Sequence, residues 1–389
     1  EHGMTSKGIT RFINDALVII GIPFFLQKYP DSLLDFIKLS SSSTSINTRT
    51  SSSTSTSRTR TRMTKICYGN GNHKSQCIDL IEPIHNPSGV VVFVHGGAWG
   101  SGMPWMYRLV ALPFLQQQEL NLAVAFVGYR TYPDADVQGQ IKDVKSAIEQ
   151  LAKSRPDLLS NNNDSSDHNN NNRKRKKSIE ALIGHSSGAH ITLQHILDEL
   201  NKQQTTDNDH DHDHDPISIK RYVGLSGVYD IPLHYQFEKG RGVDQISPLR
   251  VACAGDNSKN QNNVTLGPSP RYHQLLTQRN DNDNDDDDDL DPEYDNDNND
   301  NNNNDRCKII PPQSFTFVHG IDDDTVSYQQ TCDMVDSFRT SHYYLSKQQK
   351  QNRPQRKNQK QNQTINTNTN IDTTNICLLY TSPSPRDSR

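Results

Sequence analysis

The feature that most constrains this chain is a serine bracketed by glycines where an apolar strand pattern meets a helical one. Residues 179–183 (IEALI) form a short continuous apolar run, Gly184-His185-Ser186-Ser187-Gly188 follows at once, and residues 189–200 then place Ile191, Leu193, Ile196, Leu197 and Leu200 at helical spacing. A strand that turns into a helix within five residues, with glycine at both ends of the turn, predicts a sharp elbow presenting Ser186 at its apex. The bare pattern G-x-S-x-G also occurs by chance, so its setting between strand and helix carries the weight.

The same alternation runs through the globular part of the chain. Residues 90–94 (VVVFV), 123–128 (AVAFVG), 222–225 and 315–318 are further short apolar runs, of the kind buried on both faces of a parallel sheet. Residues 137–153 and 329–339 have helical spacing between them. Strand and helix in turn predict a doubly wound α/β fold with a mainly parallel sheet.

Only 32% of the 389 residues are apolar, against roughly 45–50% in an ordinary globular chain. The shortfall sits in blocks: a Ser/Thr/Arg-rich stretch at 40–62, expected to be a flexible linker, and low-complexity tracts at 160–178, 202–215, 278–306 and 346–374. The first three tracts interrupt one domain over 63–345 as surface-loop insertions, because loop-closure entropy grows only with the logarithm of length. Residues 346–389 are read as a further insert and an artefactual tail, since LLYTSPSPRDSR resembles a translated adaptor.

With 46 acidic against 41 basic residues, the net charge of -5 gives no nucleic-acid footprint. The basic run RKRKK at 173–177 and the DHDHDHD repeat at 209–215 read as solvated loops, so neither a nucleic-acid site nor a metal site is expected. The six cysteines form no C-x-x-C pair and read as reduced thiols, with Cys67–Cys77 the alternative disulfide. Near the start, residues 16–26 (ALVIIGIPFFL) are unbroken apolar sequence, too short at about 1.5 Å per residue to span a hydrocarbon core of roughly 30 Å. Membrane association through residues 12–37 as an interfacial or re-entrant segment, a signal-peptide h-region, and a helix that caps the domain are the readings of the segment 1–39.

Two further segments belong with the elbow. The run VVVFV leads directly into His95-Gly96-Gly97-Ala98-Trp99, where paired glycines leave backbone N–H groups unshielded, as an acyl-transfer enzyme needs for the negative charge of its tetrahedral intermediate. The donors expected are the amides around Gly96, Gly97 and Ala98 together with that of Ser187, and Trp99 is expected to wall the acyl pocket. After residues 315–318 comes His319-Gly320-Ile321-Asp322-Asp323-Asp324-Thr325-Val326, which offers three aspartates to orient a histidine. By residue chemistry alone the three are equivalent.

HGGAW, GHSSGAH and HGIDDDTV resemble the signatures of the α/β-hydrolase carboxylesterases related to kynurenine formamidase and isoprenylcysteine α-carbonyl methylesterase. Tyr68-Gly69 with Ile78-Asp79-Leu80, Gly128-Tyr129-Arg130, and Gly224-Leu225-Ser226-Gly227-Val228-Tyr229-Asp230 followed by Arg241-Gly242 resemble the methylesterase branch. The resemblance implies an α/β-hydrolase fold, no cofactor, and a serine carboxylesterase acting on a prenylcysteine methyl ester. An aryl-formamidase or general esterase is the alternative, and a catalytically inactive binding protein is a second. It implies Asp323 as the acid and a membrane address in endoplasmic reticulum or Golgi, with cytoplasm as the alternative. The resemblance also implies a histidine after one more strand. Residues 375–380 (NICLLY) suit that strand, yet His342 is the sole histidine after Asp323. His342 is therefore the candidate base in this sequence, and the reading frame is expected to stop short of the true one.

Overall fold

The computed structural model describes residues 35, 37–39, 43–49, 56–69, 73–117, 119–159, 177–205, 216–254, 267–277, 309–310, 312–351 and 376–381. Most of the four low-complexity tracts, the DHDHDHD repeat and residues 12–34 of the membrane expectation lie outside these.

Strands β1 (Ser43–Arg49), β2 (Thr56–Cys67), β3 (Cys77–Pro83), β4 (Gly89–Val94) and β5 (Leu122–Val127) come first. The helix α1 (Val137–Ser154) leads to β6 (Lys177–Ile179), β7 (Ala181–His185) and α2 (Ser187–Thr205). Then come β8 (Ile217–Ile219), β9 (Arg221–Leu225), α3 (Ile231–Gly240), α4 (Leu249–Ala254), β10 (Ile309–Ile310), β11 (Ser314–Gly320), α5 (Gln329–Gln351) and β12 (Ile376–Thr381). The main sheet has the order β1-β2-β3-β5-β4-β7-β9-β11-β12, parallel from β5 to β12 and antiparallel from β1 to β5. That order, with β4 and β5 exchanged and the elbow leaving β7, is the α/β-hydrolase fold.

Both faces of the sheet are covered, which is why its strands are continuous apolar runs rather than alternating ones. Val90, Val92 and Val94 enter one buried cluster with α1 and α2, while Val91 and Phe93 enter the opposite one with Val124, Phe126 and Leu39. Leu39 thus anchors the end of the N-terminal segment on the second face.

Three expectations change. The presumed linker carries β1 and much of β2, because Thr59, Thr61 and Met63 alternate with Arg58, Arg60 and Arg62 at the period of a strand. Cys67 and Cys77 face each other across β2 and β3 and are joined as a disulfide, not reduced. The run 179–183 is not one strand: it breaks at Glu180, whose carboxylate pairs with Lys220, so that β6 joins β8 and β10 in a small second sheet.

Candidate active site

The C-terminal ends of the parallel strands gather the predicted residues. Ser186 sits between β7 and α2 at φ 52°, a left-handed conformation that costs a residue with a side chain about 1–3 kcal/mol. Its backbone N–H donates to Leu225 O at 2.8 Å, and its carbonyl accepts from Ala189 N and His190 N, which fixes the turn between β9 and the helix. A Cβ on Gly188 would lie 2.4 Å from both Val94 O and His95 O, so only glycine lets the elbow meet the end of β4 backbone to backbone. Gly96 meets the elbow just as closely: a Cβ there would stand 2.9 Å from the Cβ of Ser186. Sequence elements more than ninety residues apart are therefore in direct contact at the nucleophile.

The loop from Gly96 to Trp99 turns through positive φ at three successive residues, 134° at Gly97, 49° at Ala98 and 60° at Trp99. Gly97 O is taken by the amides of Gly100 and Ser101. The amides of Gly97, Ala98 and Ser187 donate to nothing among the described residues. Gly97 and Ala98 are half-buried, and Ser187 stands at the first position of α2, where N–H groups have no partner within the helix. His95 underpins the loop: its ring stacks on Tyr129 at 4.4 Å, its Nδ1 donates to Gly96 O at 2.9 Å, and Tyr129 Oη donates to His95 O at 2.9 Å.

Of the three aspartates, Asp322 and Asp324 are exposed, and Asp323 turns inward. Its Oδ1 accepts from the amides of Thr325 and Val326 at 2.9 Å each. Its Oδ2 lies 3.5 Å from His319 Nε2. His319 is buried and held at both ring nitrogens, Nδ1 by Thr331 Oγ1 at 2.6 Å and Nε2 by Val326 O at 2.9 Å. Burial lowers the pKa of His185, next to Ser186, and the Asp323 charge partly offsets this. His319 was not singled out from the sequence, although its place four residues before Asp323 is a usable signal.

Two predicted residues stand elsewhere. Trp99 is 1% exposed and belongs to the core, its indole Nε1 bonded to His190 Nδ1 at 3.0 Å, so it is not an open pocket wall. The backbone of α5 leads His342 away from the C-terminal ends of the strands. Thr331 meets His319 at the C-terminal end of β11, and Phe338 packs on Phe315 near its start at 4.7 Å, so α5 runs back along the strand away from Ser186. His342 lies a further turn on, roughly 16 Å along the helix from Thr331 at about 1.5 Å per residue, and its side chain is outside the described part. Sequence order alone had made it a candidate. Ser186 Oγ hydrogen-bonds to no side chain among the described residues. Ser226 also has positive φ, 45°, with its N–H on Val318 O.

The BD-FAE family model matches residues 78–274, half of the chain, and includes the Gly96 loop and the elbow. The chain belongs to the BD-FAE family. The isoprenylcysteine alpha-carbonyl methylesterase of Arabidopsis thaliana is 29% identical over 163 residues, 41% of this chain and 33% of that protein. The matched part of this BD-FAE chain therefore spans about a third of the length of that curated relative. Among solved structures, esterase B from Lactobacillus rhamnosis is 14% identical with a TM-score of 0.47, covering 84% of this chain and 82% of that one. A bacterial heroin esterase is 12% identical with a TM-score of 0.47, covering 83% and 74%.

The buried imidazoles give this BD-FAE chain a pH signature. His95, His190, His195 and His234 have pKa values lowered from 6.5 to about 4, chiefly because burial disfavours the charged ring. A depressed histidine contributes stability that is present above its unfolded value and is lost as pH falls toward its folded one. The urea midpoint is thus expected to decline steadily from pH 6.5 to about 4, and His195→Leu is expected to flatten the decline. A midpoint that stays level across this window would show these rings to be solvated.

Proposed function

We propose that the site is that of a serine carboxylesterase working through an acyl-enzyme. The observation that carries this reading is Ser186 in its left-handed elbow against a loop whose Gly97 and Ala98 amides donate to nothing among the described residues. A base removes the proton of Ser186 Oγ as the oxygen attacks the ester carbonyl carbon. The carbonyl oxygen, now anionic, takes hydrogen bonds from the Gly97, Ala98 and Ser187 amides. Collapse of the intermediate breaks the ester C–O bond, the alcohol leaves with the proton held by the base, and water repeats the sequence on the acyl-serine. Asp323 would orient the base, and the backbone leaving β12 with Thr381 opposite Gly320 is suited to a residue that meets that carboxylate.

For substrate we favour a prenylcysteine methyl ester over an aryl formamide. The named function of the Arabidopsis relative supports this, and so do two exposed apolar residues near the site. Met103 follows the loop after β4 and is 37% exposed, while Ile321 follows β11 beside Asp323 and is 45% exposed. Such residues suit an apolar chain better than a charged amino acid. In an active form, kcat/KM for S-farnesylcysteine methyl ester is expected to exceed that for N-formylkynurenine by about tenfold or more, roughly 1.4 kcal/mol in transition-state binding. The reverse preference by the same margin would move the chain to the formamidase side. Membrane contact through residues 12–37 remains part of the proposal; among the described residues no helix is long and apolar enough to cross a membrane.

Binding without turnover is the second reading, favoured by a Ser186 Oγ with no side-chain hydrogen bond among the described residues. It predicts that a histidine supplied near Asp323 creates no activity.

A further inference from the structure

His190 takes no part in the chemistry above, yet it touches the elbow, the loop after β4 and the segment at Pro268. It lies on the first turn of α2, where its backbone N–H donates to Ser186 O at 3.3 Å, and it is completely buried. Its Nε2 stands 2.6 Å from the carbonyl of Pro268, which can only accept, so Nε2 carries the proton and Nδ1 the lone pair. That lone pair receives the indole N–H of Trp99 at 3.0 Å. With its pKa lowered to about 4 by burial, the ring is neutral near pH 7 and keeps this tautomer.

Trp99 is fastened at its other end too. Its carbonyl accepts from Tyr132 N and from the buried Gln140 Nε2, each at 2.8 Å. Ala98 and Trp99 both hold positive φ, at 49° and 60°. Backbone strain of this kind persists only where the surroundings over-determine it. The three bonds to Trp99 supply that constraint, and one of them ends on the helix that begins at the nucleophile.

We propose that His190 is a positioning residue for the oxyanion loop: through Trp99 it holds Gly97 and Ala98 with their amides toward Ser186, and through Pro268 it ties the loop to the segment before Pro270–Tyr272. The role of those amides rests on the esterase reading; the holding of the loop does not. A histidine that merely fills the core would serve equally well as an apolar side chain of similar size.

The test compares His190→Leu, His190→Asn and Trp99→Phe in the full chain by amide hydrogen exchange. Asparagine can place an acceptor near the position of Nδ1, while leucine cannot. In the leucine and phenylalanine variants, exchange at Gly100, Ser101 and Tyr132 is expected to rise by about tenfold, the scale of one hydrogen bond, with no rise in β4 or β7. His190→Asn retains the protection, and the double variant His190→Leu with Trp99→Phe is no worse than the worse single one. In a catalytically active form, His190→Leu lowers kcat by about 10²-fold with KM nearly unchanged. Unchanged protection in His190→Leu, or a rise spread evenly over the sheet, overturns the proposal. Lost protection with kcat intact overturns its catalytic half. Failure of the esterase reading would instead appear as absent turnover in every variant, with the exchange pattern still present.

Discussion

A histidine placed just after Thr381 is expected to raise ester hydrolysis by about 10²–10⁴-fold over the parent chain, the usual contribution of a positioned general base. β12 is parallel to β11 with Thr381 opposite Gly320, so the backbone leaving β12 emerges beside the turn that carries Asp323. Residues 382–389 (SPSPRDSR) contain no histidine. Among the described residues no imidazole hydrogen-bonds to Ser186 Oγ, and a serine hydroxyl without such a base is a weak nucleophile near pH 7. The parent should show only the roughly 10³–10⁴ over water that an oxyanion hole and binding leave behind. Initial rates with p-nitrophenyl butyrate for Ser382→His, Pro383→His, Ser384→His and Pro385→His check this, with His342→Ala as the control. At least one of the four should be active, and His342→Ala should leave the parent rate as it was. Four flat variants, or a robust parent activity that His342→Ala removes, would mean that the base is misplaced.

Ser186→Ala in the activated variant is expected to return turnover to the parent level, a loss of about 10²–10⁴-fold. The same substitution in the parent should cost far less, because members of a catalytic unit are not additive: a serine with no base contributes little beyond its surroundings. This contrast between the two backgrounds distinguishes a nucleophile from a residue that only shapes the elbow. Retention of more than about a tenth of the activated rate by Ser186→Ala would place the attacking oxygen elsewhere.

Much of this arrangement could be read from the sequence, for reasons that are local. The runs at 90–94 and 123–128 are β4 and β5 because a strand buried on both faces has no room for alternation. The elbow was legible because glycine, serine and glycine in a five-residue turn leave few other conformations. What escaped depended on distant partners or on direction. The break at Glu180 comes with an ion pair to Lys220, forty residues away, which no local pattern announces. The burial of Trp99 follows from His190, which shares no local pattern with it. The strands in the Ser/Thr/Arg stretch were hidden by a composition that suggests disorder, although the Thr/Arg alternation at 58–62 carried the strand period. The candidacy of His342 rests on chain order, whereas the helix joining two parallel strands must run back along the sheet, which carries its distal residues toward the N-terminal ends of the strands.

The most direct measurement is mass spectrometry of the histidine-bearing chain after treatment with an alkyl fluorophosphonate, in which a serine oxygen displaces fluoride from phosphorus. The account predicts one phosphonyl group on Ser186, formed about 10²-fold faster than in the parent, and none on Ser226 or in the Ser186→Ala variant. A folded chain that hydrolyses p-nitrophenyl butyrate but acquires the phosphonyl group on a residue other than Ser186, or acquires none, would contradict it.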